Sequence, residues 1–181
     1  MHPDTPRGGM PLQQLLGGRP LKPMQDQLAN FAASFGVELG FSARIPNTRR
    51  PLAMAEFARL QGRLEPFRDA VMDAHWQEAR DIEDAGVLRS LAEKAGLDPE
   101  DALAAADGRE MQARVDGLGV EARRWGVTGI PTYFLLPEGW EPGSALPASG
   151  ARPVKIVGCQ PFESLLGGCA QAQVRRRGVA T

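Results

Sequence analysis

The 181 residues are 43% hydrophobic and carry 21 basic against 22 acidic side chains, a formal charge of −1. That length buries one core, or one core with an insertion, and the balanced charge leaves no electrostatic footprint for nucleic acid or anionic lipid. No run approaches a membrane span of about 20 apolar residues, and Met1-His2-Pro3-Asp4-Thr5-Pro6 lacks the charged-then-apolar pattern of a secretory signal, so the expected location is cytoplasmic, with no membrane partner.

Residues 1 to 20 scatter Pro3, Pro6, Pro11 and Pro20 among Gly8, Gly9, Gly17 and Gly18 and read as an irregular connection. After Pro23, Met24, Leu28, Phe31 and Phe35 recur at helical offsets, with Gly36 as the stop. Val37-Glu38-Leu39-Gly40-Phe41 alternates like a short extended piece, and Ile45-Pro46-Asn47-Thr48 reads as a turn. Asn47 is placed to cap a helix that accepts Pro51 in its first turn and buries Phe57 and Leu60. Leu64, Phe67, Val71 and Ala74 stripe the next helix, which leaves through Glu78-Ala79-Arg80-Asp81. Asp84 caps a helix bearing Val87, Leu88 and Leu91 as far as Gly96, and Asp98-Pro99 opens another running to Gly108. From Arg109, Met111, Val115, Ala122 and Trp125 form a rough stripe weakened by Gly117 and Gly119. The centre of the chain is therefore expected to be all helical.

The pattern then changes period. Thr132 to Leu136 reads as a strand, Pro137 to Pro153 as a proline- and glycine-rich loop, and Pro153 to Val157 as a second strand ended by Gly158. Phe162, Leu165, Leu166 and Cys169 then share one helical face. The two strands are entered through Gly126-Val127-Thr128-Gly129-Ile130-Pro131-Thr132, where two glycines frame an Ile-Pro pair directly before β-branched and aromatic residues. An X-Pro bond costs only about 0.5–1 kcal/mol to hold cis, so this proline is expected to be cis and to turn the backbone of Ile130 outward. Ile130, Pro131 and Thr132 are the candidate substrate-binding residues.

Five segments in order resemble the DsbA family, in particular its FrnE-like branch, which is also similar to 2-hydroxychromene-2-carboxylate isomerases. They are His2-Pro3-Asp4-Thr5-Pro6, Ile45-Pro46-Asn47-Thr48, Ala74-His75-Trp76-Gln77-Glu78-Ala79-Arg80-Asp81-Ile82, Gly126 to Thr132, and Gly158-Cys159-Gln160-Pro161. The resemblance implies an α/β, thioredoxin-like fold of DsbA type with an inserted all-helical domain. The boundaries are a connecting segment at 1–22, the helical insertion at 23–125, the C-terminal half of the thioredoxin-like domain at 126–174 and a tail at 175–181. It also implies thiol–disulfide oxidoreductase activity on a protein or small-molecule thiol or disulfide, without a cofactor.

Family members begin with a strand, a Cys-x-x-Cys or serine equivalent at a helix start, and a second strand. This sequence carries no such motif, so the N-terminal β-α-β is expected to be missing, through a misplaced start codon or a true truncation, and no catalytic residue is assigned within the chain. Two alternatives accompany this reading. One is a glutathione-dependent isomerase of the 2-hydroxychromene-2-carboxylate type; the other is a catalytically silent peptide-binding protein. An unpaired strand and an apolar face left by the missing segment imply self-association.

The remaining reactive side chains have structural explanations. Cys159 and Cys169 are too few for a disulfide scaffold; eight helical residues between them span about 12 Å, beyond the roughly 7 Å between Cα atoms that a disulfide tolerates. Both are expected to be small buried hydrophobes. His75, near a helix end, suits packing or a local cap, and Trp76 and Trp125 suit a core or interface. Asp81, Glu83 and Asp84 are read as capping carboxylates and not as a metal site, and Arg175-Arg176-Arg177 as a solvated tail.

Overall fold

A computed structural model of the chain describes residues 5–141 and 149–174. His2, Pro3 and Asp4, the middle of the 137–153 loop and the Arg175-Arg176-Arg177 tail lie outside the described residues. The chain divides into two units, Met1–Gly119 and Val120–Thr181.

In the first unit, helices α3 (Arg49–Leu60), α4 (Leu64–Trp76), α5 (Ala85–Lys94) and α6 (Pro99–Asp107) form a ring in which each packs on two others. Small residues allow that closeness: Ala53, Ala58, Ala70, Ala74, Ala92 and Ala106 line the contacts around Met54, Phe67 and Leu88, the largest fully buried side chains. Two helix starts are fixed as their sequence implies. Asp84 accepts the Val87 N–H at 2.8 Å, and Asp98 accepts those of Glu100 and Asp101 at 3.0 and 2.9 Å, with Pro99 in the first turn. The α3 cap lies one residue later than expected, at Thr48, although Asn47 Oδ1 still accepts the Arg49 N–H at 2.8 Å.

Residues 5–20 are less irregular than their prolines and glycines imply. Met10–Pro11 (β1) pairs antiparallel with Arg44–Ile45 (β2), replacing part of the expected turn, and Leu12–Leu15 forms a single helical turn, α1. The pairing is possible because Gly9, at φ +72°, brings its backbone where a Cβ would lie 2.6 Å from the Ile45 carbonyl oxygen. Conversely, residues 37–41 form no strand. Their alternation is overridden by a local need: the Gly40 N–H donates to the Trp76 carbonyl at 2.7 Å, satisfying an orphan acceptor at the end of α4.

The helix after Leu21 is α2 (Lys22–Ala33), but its apolar stripe has no cover. Leu28, Phe31 and Phe35 are all exposed, Phe35 by 67%, and Phe31 and Phe35 meet edge to face at 5.2 Å. The core of this unit closes without them.

α7 (Arg109–Arg124) starts in the first unit, where Met111 and Val115 are buried, and remains helical through Gly117 and Gly119. In the second unit, β3 (Thr132–Leu135) and β4 (Val154–Val157) pair antiparallel, with Thr132 opposite Val157 and Leu135 opposite Val154. The helix α8 (Phe162–Gln171) rests on one face of this pair through Gly168, where a Cβ would lie 2.7 Å from Leu135 Cδ1 and 2.8 Å from Ile156 Cδ1. On the other face Phe134 meets Trp125 edge to face at 4.8 Å.

This close approach shifts the buried face of α8 from the expected one. Gly168 and Ala172 are buried with Leu165 half-buried beside them, whereas Phe162 and Leu166 are 67% and 51% exposed. Among the described residues no helix is long and apolar enough to cross a membrane.

The distribution of burial has a direct consequence for stability. Phe67→Ala empties a fully enclosed site and should cost about 3–5 kcal/mol, whereas Phe31→Ala on the uncovered face of α2 should stay within about 0.5 kcal/mol of the parent. Urea denaturation followed by far-ultraviolet circular dichroism measures both.

Candidate functional site

The candidate loop begins where α7 stops. Gly126, at φ +66°, occupies the left-handed position of a helix stop in which its N–H reaches the Arg123 carbonyl at 2.9 Å and the Val127 N–H reaches that of Ala122 at 3.0 Å. Lys155 on β4 donates from Nζ to the Gly126 carbonyl, tying the loop to the hairpin. Five residues later the Ile130–Pro131 peptide bond is cis.

Both sides of that bond are anchored. Thr132 donates from Oγ1 to the Gly129 carbonyl at 2.5 Å, and the Pro131 carbonyl accepts the Gly158 N–H at 2.8 Å. Gly129 lies so close to β4 that a Cβ would sit 3.3 Å from Val157 Cγ1. Ile130 projects between these anchors, 78% exposed, and among the described residues its main-chain N–H and carbonyl have no hydrogen-bond partner. The three candidate residues are thus brought together, with a free peptide unit at their apex. Such an arrangement can pair with an extended polypeptide and can present apolar surface to its side chains.

The thiols depart from expectation. Cys159, one residue beyond the Gly158 that anchors Pro131, is exposed; Cys169 is intermediate, and both are free. Cys159 lies in the bend between β4 and α8, whereas Cys169 is left at the margin because α8 presents Gly168 and Ala172 inward.

A cleft of about 370 Å³ opens at the other end of the hairpin, beside Trp125, Phe134, Leu136, Trp140 and Lys155. Neither Ile130, Pro131 nor Thr132 lines it.

In the first unit the expected carboxylate cluster is engaged with the backbone. Asp81 accepts the Glu83 N–H at 3.0 Å, and Asp84 caps α5. Glu83 is a clamp: it accepts the Gly8 N–H at 2.9 Å and the Asn47 N–H at 3.2 Å. Arg44 completes the clamp by donating to the carbonyls of Gly8 and Gly9, and Asn47 Nδ2 donates to the Thr5 carbonyl at 2.9 Å. Nothing local marked Glu83 or Arg44 for this task, since their partners lie 35 or more residues away. The only signal was the Gly8-Gly9 pair, both residues at positive φ.

His75 is half-buried, with Nδ1 shielded and without a partner among the described residues, and meets Trp76 edge to face at 4.8 Å. Trp76 is 45% exposed and so, of the core and interface roles expected, does not fill the core one, whereas Trp125 is half-buried on Phe134.

With these elements in view, the comparison with known families is decisive: residues 2–165 match the model of the DSBA-like thioredoxin domain. The chain belongs to that family. Among solved structures, a probable DsbA oxidoreductase from Streptomyces coelicolor superposes with a TM-score of 0.75 at 25% identity, covering 99% of this chain and 74% of the other. The helical unit and the hairpin with its cis-proline loop are therefore parts of a DsbA-like, α/β thioredoxin fold with a helical insertion. A search among curated proteins gives no match.

The titration of His75 yields a test of the helical unit. Burial lowers its affinity for a proton, only partly opposed by the Asp81 carboxylate, so the folded form holds a neutral imidazole below its ordinary value of 6.5. The unfolded chain takes up the proton first, so stability is full above pH 6.5 and declines as pH falls through that value. Glu56 responds in a lower range. Burial raises its pKa, but hydrogen bonds and charge from Arg114 and Arg59 outweigh that, so its contribution is lost as pH falls below its ordinary 4.5. The urea midpoint should therefore drop between about pH 7.5 and about pH 5.5, and His75→Gln should reduce that drop.

Proposed function

We propose that this DsbA-family chain serves thiol–disulfide exchange, with Ile130, Pro131 and Thr132 as the surface that holds the substrate polypeptide. The observation that carries this reading is the free, exposed Ile130 peptide unit between two anchored neighbours. In the exchange a thiolate attacks a substrate disulfide, one substrate sulfur leaves as thiolate, and a mixed disulfide forms. The Ile130 main chain aligns the substrate strand so that its sulfur meets the attacking one. The partner is a protein or small-molecule thiol or disulfide, the location is the cytoplasm, and no bound cofactor takes part.

The two cysteines of the sequence are ten positions apart and form no Cys-x-x-Cys pair. The dithiol of this reaction is accordingly assigned to polypeptide outside these 181 residues, encoded upstream in a gene of the FrnE-like branch. An in-frame Cys-x-x-Cys before the Met1 codon supports this assignment; a lone serine there favours the glutathione-dependent isomerase, and a stop codon favours the silent peptide-binding protein.

Two measurements follow. In an insulin-reduction assay the 181-residue chain should give no turnover above the uncatalysed rate. Turnover that vanishes in Cys159→Ala would sink the assignment of the dithiol elsewhere. Thr132→Val removes the hydrogen bond that braces the loop, worth about 0.5–1.5 kcal/mol, and should weaken binding of an extended cysteine-containing peptide by about two- to tenfold in isothermal titration.

A further inference from the structure

We propose that the cleft at the loop end of the β3–β4 hairpin is a small-molecule site for a planar aromatic carboxylate, separate from the surface around Ile130. Its volume of about 370 Å³ falls within the usual range of ligand pockets, about 300–1,000 Å³. All of its lining residues belong to the second unit, from the end of α7, from both strands and from the turn after β3. Its floor is the β3–β4 pair already formed, with Lys155 and the residues before it contributed by β4, whatever strand lies beyond β3.

Two of the walls are indoles. Trp125 is half-buried and meets Phe134 edge to face at 4.8 Å, and Trp140 is half-buried and fixed at its main chain, where its N–H donates to the Pro137 carbonyl at 3.0 Å. Such rings accept a flat aromatic group in stacked or edge-to-face contact. Trp140 also carries an unmet demand. Its Nε1 is shielded from solvent and has no hydrogen-bond partner among the described residues. An indole N–H can only donate, so what it lacks is an acceptor, which buried donors in native proteins nearly always find. A turn of the half-buried ring gives that N–H to an oxygen of a ligand in the cleft.

The charge of the cleft decides what that oxygen belongs to. Arg124 and Lys155 both line it, and no aspartate or glutamate does. Arg124 is exposed and has neither an ion pair nor a hydrogen bond among the described residues. Lys155 spends one of the three N–H donors of its ammonium on the Gly126 carbonyl and keeps the others. The last carbonyls of α7 oppose an anion, but those of Ala122 and Arg123 are already bonded to the N–H groups of Val127 and Gly126. A guanidinium grips a carboxylate through two parallel N–H···O bonds, a match that a neutral hydroxyl cannot offer. An aromatic body bearing one carboxylate thus uses the rings, the unpartnered donor and the cations together.

Titration of the full chain with naphthoate to about 5 mM, followed by nitrogen–proton correlation spectra and isothermal titration, tests this. The indole N–H signals of Trp76, Trp125 and Trp140, assigned from the single Trp→Phe variants, are the reporters. The expected result is a saturable shift of the Trp125 and Trp140 signals while that of Trp76, in the helical unit, stays in place. Naphthoate should bind at least about tenfold more tightly than naphthalenemethanol, which lacks the charge, or cyclohexanecarboxylate, which lacks the aromatic ring. Arg124→Gln changes an exposed side chain, so the fold should persist by circular dichroism; it should weaken naphthoate by about tenfold and leave naphthalenemethanol unchanged. Trp140→Phe keeps a ring and removes the N–H, and should weaken naphthoate by about threefold or more. The proposal is overturned if no saturable shift occurs, or if the Trp76 signal moves in parallel with the other two. It is equally overturned if naphthalenemethanol binds as tightly as naphthoate, or if folded Arg124→Gln keeps the parental affinity.

Discussion

The hydrogen bond from the Gly158 N–H to the Pro131 carbonyl does more than close a hairpin. It sets the phase of the β3–β4 ladder, and with it which main-chain groups are used internally and which remain available. A slip of one residue would exchange the faces of β3, turning Phe134 from Trp125 toward α8 and putting Leu135 against Trp125. It would also move the free peptide unit away from Ile130. Gly158, at φ +84°, permits the bond because the chain must turn sharply from β4 toward α8 at that point. The cis-proline loop is consequently held from two directions, by this bond and by Thr132 on Gly129. The exposed apex is rigidly mounted although it makes no contacts of its own.

A parallel economy operates in the helical unit. Glu83 and Arg44 act on opposite poles of the same short segment, the carboxylate accepting from the Gly8 N–H and the guanidinium donating to the Gly8 and Gly9 carbonyls. Charge-assisted bonds of this kind are about twice as strong as neutral ones. They offset the poor hydrogen-bonding prospects of a stretch rich in proline and glycine. Residues 5 to 11 are thereby a built part of the unit, a stave laid against β2, and not the loose connection their composition implies.

What was legible in the sequence follows from the range of the forces involved. Helix starts at Asp84 and Asp98 depend on side chains that bond two or three residues away, so their residues alone revealed them. The helical ring was legible in its elements, through the period of Leu64, Phe67, Val71 and Ala74, but not in its closure, which depends on alanines that carry little periodic signal. The two-residue β1–β2 pair and the Glu83 clamp join positions more than 30 residues apart, and no local pattern encodes such pairs. The expected full burial of Cys169 failed for a related reason. It shares an apolar stripe with Phe162, Leu165 and Leu166, but Gly168 lets the backbone of α8 approach β3 and β4, and a glycine contributes nothing to a hydrophobic count.

The stripe of α2 shows the limit of periodicity more sharply. Met24, Leu28, Phe31 and Phe35 meet every requirement of an amphipathic helix, and the helix forms, yet none of its residues is buried. Burying one large apolar side chain stabilises by about 1.5–3 kcal/mol, so Leu28, Phe31 and Phe35 hold a reserve that the core around Phe67 does not draw on. That core is complete because α3, α4, α5 and α6 already cover one another in a closed ring. Period specifies that a face is apolar; only the geometry of neighbouring elements decides whether it is used. The exposed Phe162 and Leu166 of α8 obey the same logic, since Gly168 rather than either large side chain determines which way that helix leans. In α8 the deciding residue is the one that permits approach; in α2 it is the closure of the neighbouring ring that leaves the stripe outside.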